Sequence, residues 1–181
     1  ENIEQTCYPS RNFYSKINLL VHLLKDKEAY RKVLVFVSSK KNADLLFTRL
    51  QDRYVLDTGI IHSNKSQNYR LDIIKRFDSG STRVLIATDV IARGIDFDQL
   101  SNVINFDTPS FPENYMHRIG RAGRAGALGK SILFYTEAET EKKQAIENLM
   151  DLQIPELPLP EEVKEDTQLL PEERDRPKTK K

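Results

Sequence analysis

Cysteine and histidine are scarce in this chain, and an excess charge of either sign is missing. One cysteine and three histidines stand in 181 residues, and 28 Lys and Arg face 27 Asp and Glu, for a formal net charge of +1. A lone thiol, Cys7, has no partner for an internal disulfide or for a zinc site, which points to a reducing compartment and no structural metal. A near-zero balance excludes a wholesale polyanion binder of the histone kind, so any anion site is a local concentration of charge. No apolar run approaches the ~20 residues that span a bilayer, and no signal-peptide pattern opens the chain. The expectation is a soluble, cytoplasmic protein with no membrane partner. The chain opens on Glu1, which reads as a piece of something longer.

What is present is a cadence. Val33-Leu34-Val35-Phe36-Val37, Val84-Leu85-Ile86-Ala87 and Ile132-Leu133-Phe134 are short and nearly unbroken, as strands buried on both faces read. Gly59-Ile60-Ile61 and Val103-Ile104-Asn105-Phe106 are shorter members of the same set. Between them, Ile17, Leu20, Val21 and Leu24 recur at helical spacing, as do Ala43, Leu46, Phe47 and Leu50. Tyr69, Ile73, Ile74 and Phe77 mark a third helix stopped by Ser79-Gly80, and Ile146, Leu149 and Met150 a last one. This alternation predicts an α/β fold of three layers, a mostly parallel sheet between helices, as one domain over residues 1–152. Residues 153–181 are rich in proline and charge and read as a linker or extended tail with no core of its own.

Such a fold puts function in the loops that leave the carboxyl ends of the strands. Ser38-Ser39-Lys40, His62 to Gln67 and Thr88-Asp89 are polar and each follows a strand. Thr88 or Asp89 can cap a helix whose first N–H groups make an anion site, although plain capping explains both equally well. Asp96 offers an acceptor-only carboxylate for a ribose hydroxyl, and an Asx turn explains it as well. The most telling stretch is Tyr115 to Gly126, where Arg118, Arg121 and Arg124 recur every third residue with Gly120 and Gly123 between them. Guanidinium forks match phosphate oxygens and keep their charge. A solvated basic helix face is the bland alternative, but two interior glycines weaken such a helix by ~1 kcal/mol each.

Taken together, these segments resemble the DEAD-box RNA helicases of superfamily 2. Ala87 to Asp96 is similar to their motif V, and His117-Arg118-Ile119-Gly120-Arg121-Ala122-Gly123-Arg124 to their motif VI. Val35 to Ser39 resembles motif IV, Gln67-Asn68-Tyr69-Arg70 the adjoining Q-x-x-R element, and Val103 to Pro109 the segment after motif V. The resemblance covers Glu1 to about Asp151 and only the second RecA-like domain of such enzymes. The phosphate-binding loop and the Asp-Glu-Ala-Asp box of the first domain are absent. Gly126 to Ser131 mimics the end of a phosphate loop, but Arg124 stands where its first glycine belongs and a strand follows instead of a helix.

The resemblance implies roles. Arg121 and Arg124 act as arginine fingers on the γ-phosphate of ATP, held with Mg²⁺ mainly by an N-terminal RecA-like domain of the same protein. Asp96 binds the ribose, with Gly94 beside it. His117 and Arg118 join the network that links nucleotide state to domain closure. Ser38, Gln67, Arg70, Thr88 and Gly94 face the sugar-phosphate backbone of RNA without sequence preference. The departures are Ala122 for a usual threonine, Ser39 for threonine, and Ser63 for the glycine after His62. The implied function is half of an ATP-dependent RNA helicase, inactive alone as an ATPase. A DNA helicase of the same superfamily and a non-enzymatic binding module stand as alternatives. Cys7 and His22 read as structural.

Overall fold

In a computed structural model the described residues are 3–89, 97, 99–120 and 129–174. They form one six-stranded, wholly parallel sheet of β1 (Ile3–Pro9), β2 (Val33–Phe36), β3 (Thr58–Ile61), β4 (Val84–Ala87), β5 (Asn102–Asn105) and β6 (Gly129–Tyr135). The spatial order is β1-β6-β5-β2-β4-β3. Among the described residues five helices flank it: α1 (Phe13–Leu24), α2 (Lys40–Asp52), α3 (Gln67–Ser79), α4 (Pro112–Ile119) and α5 (Thr140–Met150).

Strand side chains alternate between faces, and both faces are apolar because both are covered. Val33, Val35, Val84, Ile86, Ile104, Ile132 and Phe134 pack on one side with α1 and α2 residues Leu20, Leu24, Leu46 and Leu50. Leu34, Phe36, Leu85, Ala87 and Val103 turn to the other side, where Ile73 and Phe77 of α3 meet them. Farther along that side, Tyr115 of α4 and Ile146 of α5 close over Leu133 and Cys7. The expected three-layer α/β architecture is the observed one, with the five expected strands and four expected helices in place.

Two elements carry no strong periodicity and go unread in the sequence. Strand β1 has mixed burial and joins the sheet beside β6. Helix α4 starts with Pro112 at its first turn, where a missing N–H costs nothing, and buries only Tyr115 and Arg118.

The helix starts follow local chemistry. Asn12, Ser39 and Ser66 each accept, through a side-chain oxygen, the N–H three residues on. Helix α3 ends at Gly80, whose φ of 91° is a left-handed conformation that glycine adopts without steric cost.

Residues 154–174, read in the sequence as a linker or extended tail, are laid against the domain. The Cys7 N–H donates to Pro155 O at 2.9 Å, and Leu157 N–H to Cys7 O at 2.8 Å. Farther on, Asn12 Nδ2 donates to Asp166 O at 2.6 Å and Asp166 N–H to Ser15 Oγ at 2.8 Å. Leu170 enters the core on the α1 side, and Glu173 accepts the Phe13 N–H at 2.8 Å, adding a second cap to α1.

Candidate functional site

The parallel sheet brings the expected loops to one edge. Ser38 follows β2, Thr88 and Asp89 follow β4, Asp107 and Thr108 follow β5, and the His62 to Ser66 loop follows β3. Gly94, Asp96, Arg121 and Arg124 lie outside the described residues. The others are placed: Ser38, Gln67 and His117 are exposed, Arg70 is half-buried, and Thr88 and Arg118 are buried.

Arg118 is the best-held polar side chain at this edge, with only 1% of its surface exposed. Its Nε and Nη2 donate to the two carboxylate oxygens of Asp89, each at 2.7 Å. Nη1 donates to Asn105 Oδ1 at 3.2 Å and to Asp107 O at 3.0 Å. The guanidinium also lies 4.8 Å from the centre of the Phe36 ring, where a cation is attracted by the ring face. A planar fork on a carboxylate is the strong, directional form of ion pair. It ties the ends of β4 and β5 to the last turn of α4, which closes at Gly120 immediately before Arg121. Arg118 is thus turned inward, onto acceptors of its own domain. Asp89 takes its part through this pair, a role its sequence context does not reveal.

A second buried charge lies beneath Ser38. The Lys16 ammonium, on a residue only 2% exposed, sits 2.8 Å from Glu139 Oε1 and 3.6 Å from Asp107 Oδ1. Asp107 Oδ2 in turn accepts both the Ser38 N–H, at 2.8 Å, and the Ser38 hydroxyl, at 2.9 Å. Glu139 accepts the backbone N–H of Thr108 at 3.1 Å and of Thr136 at 2.9 Å. One cation and two carboxylates therefore fix the loops after β2, β5 and β6. Burial of the Lys16 ammonium is tolerable because it finds two partly buried carboxylates as partners.

The loop after β3 is braced as firmly. His62 Nδ1 accepts the Asn64 N–H at 3.2 Å, which leaves Nε2 to carry the proton and donate to Asp44 at 2.8 Å. Arg70 donates to Lys65 O and Ser63 O, each at 3.2 Å, so its guanidinium closes the loop that leads to Gln67. Serine at position 63, where glycine was expected, is exposed and offers Arg70 its carbonyl.

The sequence held signals for the inward placement of the two buried cations. Lys16 sits three residues after Phe13 and four before Leu20, a core-facing position on α1. Arg118 lies three residues after Tyr115 and shares its inward face. Among the described residues, no group of three or more His, Cys, Asp or Glu is arranged to hold a metal. None of the described helices is long and apolar enough to cross a membrane.

Comparison with known proteins places this edge in context. Residues 15–126 match the family described as "Helicase conserved C-terminal domain". The chain is 42% identical over 135 residues to the ATP-dependent RNA helicase eIF4A of Scheffersomyces stipitis, a match covering 75% of this chain and 34% of that protein. Its fold is similar to that of the E. coli DEAD-box protein SrmB bound to regulator of ribonuclease activity A. There the TM-score is 0.84 at 32% identity, covering 93% of this chain and 97% of that one. It is also similar to S. cerevisiae Dbp5 bound to RNA and ADP BeF3, with a TM-score of 0.80 at 31% identity over 87% of this chain and 42% of that one. The shared architecture is the RecA-like α/β fold.

Proposed function

Because this chain belongs to the helicase conserved C-terminal domain family, within the DEAD-box helicases, we propose that it is the second RecA-like half of an ATP-dependent RNA helicase. It spans about a third of the eIF4A relative it matches, so the other half lies in a preceding RecA-like domain. The observation that carries the reading is the Arg118 clamp. It anchors α4 to the ends of β4 and β5, so the segment carrying Arg121 and Arg124 starts from a fixed point at the functional edge.

The donor set suits ATP. Arg121 and Arg124 bring two permanent forks for γ-phosphate oxygens, and Asp96 brings an acceptor for the ribose. ATP, with Mg²⁺ on the partner domain, supplies the phosphoryl group whose transfer drives the cycle. The arginines stabilise charge that spreads over that group in the transition state, an effect worth ~10³–10⁵ in rate. Ser38, Gln67, Arg70, Thr88 and Gly94 supply the RNA-backbone surface, and His117 lies beside the clamp to pass nucleotide state to domain closure. Dbp5, which shares the fold, is a protein solved with RNA, and this supports the assignment of RNA as partner.

In the intact protein, Arg124→Ala is expected to cut ATP turnover by at least 10³ while changing ATP affinity far less. Near wild-type turnover in that variant refutes the finger role. The isolated 181-residue chain is expected to show no magnesium-dependent ATP turnover, and measurable turnover refutes the division of labour.

A further inference from the structure

We propose that the groove at the amino ends of β3 and β4 docks a short acidic peptide of a partner protein, with one large apolar side chain of that peptide seated in it. The groove has a volume of about 430 Å³ and lies between the last turns of α1 and α2 and the segment that leads into β3. It is at the opposite end of the strands from the loops that hold Ser38 and Thr88. Val21, Leu24 and Val55 give it an apolar lining, and beside them Leu56 and Tyr54 leave 64% and 85% of their surface exposed.

Tyr54 is the telling residue. Helix α2 closes with the Tyr54 N–H on Gln51 O at 3.0 Å and the Val55 N–H on Leu50 O at 2.9 Å, and Tyr54 takes a φ of 64°. Glycine is the usual occupant of that left-handed position, and a tyrosine there is strained. A ring so exposed returns little packing to the domain. Strain kept at an exposed aromatic points to a partner, because Tyr and Arg are the side chains that most often anchor protein interfaces.

The charge says what kind of partner. Lys25, Lys27, Arg53 and Arg83 line the groove against one carboxylate, Asp57, so four less one leaves a formal +3 there in a chain whose net charge is only +1. Asp57 is committed to Arg83, whose Nε donates to it at 2.8 Å. Arg53 gives one donor to Asn18 Oδ1 at 2.8 Å, and Lys25 and Lys27 are exposed with no carboxylate partner among the described residues. The remaining donors complement carboxylates, and the apolar lining between them takes a hydrophobic anchor that a nucleic-acid backbone does not carry.

The test selects a phage-displayed library of random dodecapeptides on the intact protein and measures the enriched peptides, labelled with fluorescein, by anisotropy. They are expected to be acidic and to carry at least one large apolar residue. Tyr54→Gly, which removes the ring and relieves the backbone, should weaken their binding by roughly tenfold or more without lowering the denaturation midpoint. Lys25→Glu combined with Lys27→Glu should weaken it as much, whereas Lys75→Glu, at an exposed position on α3, should leave it unchanged. If no acidic peptide is enriched, or if the enriched peptides ignore both groove variants, the groove does not dock such a partner. If the lysine variant instead loses affinity for a single-stranded RNA oligonucleotide, the groove is a nucleic-acid surface and the peptide assignment is overturned.

Discussion

Replacing Arg118 with methionine isolates what its charged fork contributes. The variant keeps an apolar stem of similar reach beside Phe36 but removes four hydrogen bonds, two of them charge-assisted pairs at 2.7 Å. Removing one member of a fully buried pair costs ~3–5 kcal/mol. The side chain of Asp89 keeps 24% of its exposure, so its stranded carboxylate recovers part of its hydration and the lower end applies. Against this, Asn105 Oδ1, on a fully buried residue, loses a donor, at a cost of ~1 kcal/mol or more. A loss of about 3–4 kcal/mol is expected, out of the 5–15 kcal/mol typical of a folded domain. Urea denaturation of the 181-residue chain should show a lower midpoint with an unchanged slope. The melting temperature should fall by about 10 °C, at roughly 2–4 °C per kcal/mol for a chain of this size. Arg118→Lys keeps the charge without the fork and should lose about half as much. A double-mutant cycle with Asp89→Asn should return a coupling of at least ~1.5 kcal/mol. If Arg118→Met lies within ~1 kcal/mol of wild type, the clamp does not hold this edge together and the anchoring argument for Arg121 and Arg124 fails.

Other outcomes follow from the same packing. Leu170→Ala, at a buried tail position, should cost ~2–4 kcal/mol in chemical denaturation, and no measurable loss would mean that the tail is not docked in solution. Burial raises the Cys7 thiol from 9.0 to about 11, and burial likewise lifts the Tyr30 phenol from 10.0 to about 12. The unfolded chain then releases these protons first. The Cys7 contribution is complete below pH 9 and is lost as pH rises toward 11, at ~1.4 kcal/mol per pH unit. Denaturation midpoints should therefore fall between pH 8 and 10.5, and less steeply in Cys7→Ala; equal slopes would refute the assignment. Gly80→Ala puts a side chain at φ 91° and should cost ~1 kcal/mol, whereas an unchanged midpoint would show that the helix end relaxes freely.

Much of the architecture was legible because both sheet faces are covered, so β2 and β4 are continuous apolar runs that only a doubly packed strand explains. Strand β1 escaped because its partners are confined to β6 and the tail, and five of its seven residues keep some exposure. The site loops were placed by topology plus polarity, and Ser38 and Thr88 do follow β2 and β4. What holds them was not legible. Arg118 and Asp89 are 29 residues apart, and Lys16 lies 123 residues from Glu139, so no local pattern connects the partners. The tail escaped for the same reason. Proline and charge describe a segment without its own core, but they say nothing of the grooves it can occupy on another element.

The short pairing between Cys7 and residues 155–157 has a consequence for the behaviour of the domain among its own copies. Strand β1 is the outermost member of the sheet on one side, and an outermost strand presents unused N–H and C=O groups that can recruit a second molecule. Here the chain supplies its own occupant, since both the N–H and the C=O of Cys7 are taken by Pro155 and Leu157. The occupant itself makes a poor template. Pro155, Pro158 and Pro160 have no N–H to donate, so strand addition stops there. The last part of the domain thus acts as a terminator for sheet growth. A protein cut before Ile154 should self-associate at concentrations where the intact chain stays monodisperse, which light scattering across a dilution series would reveal.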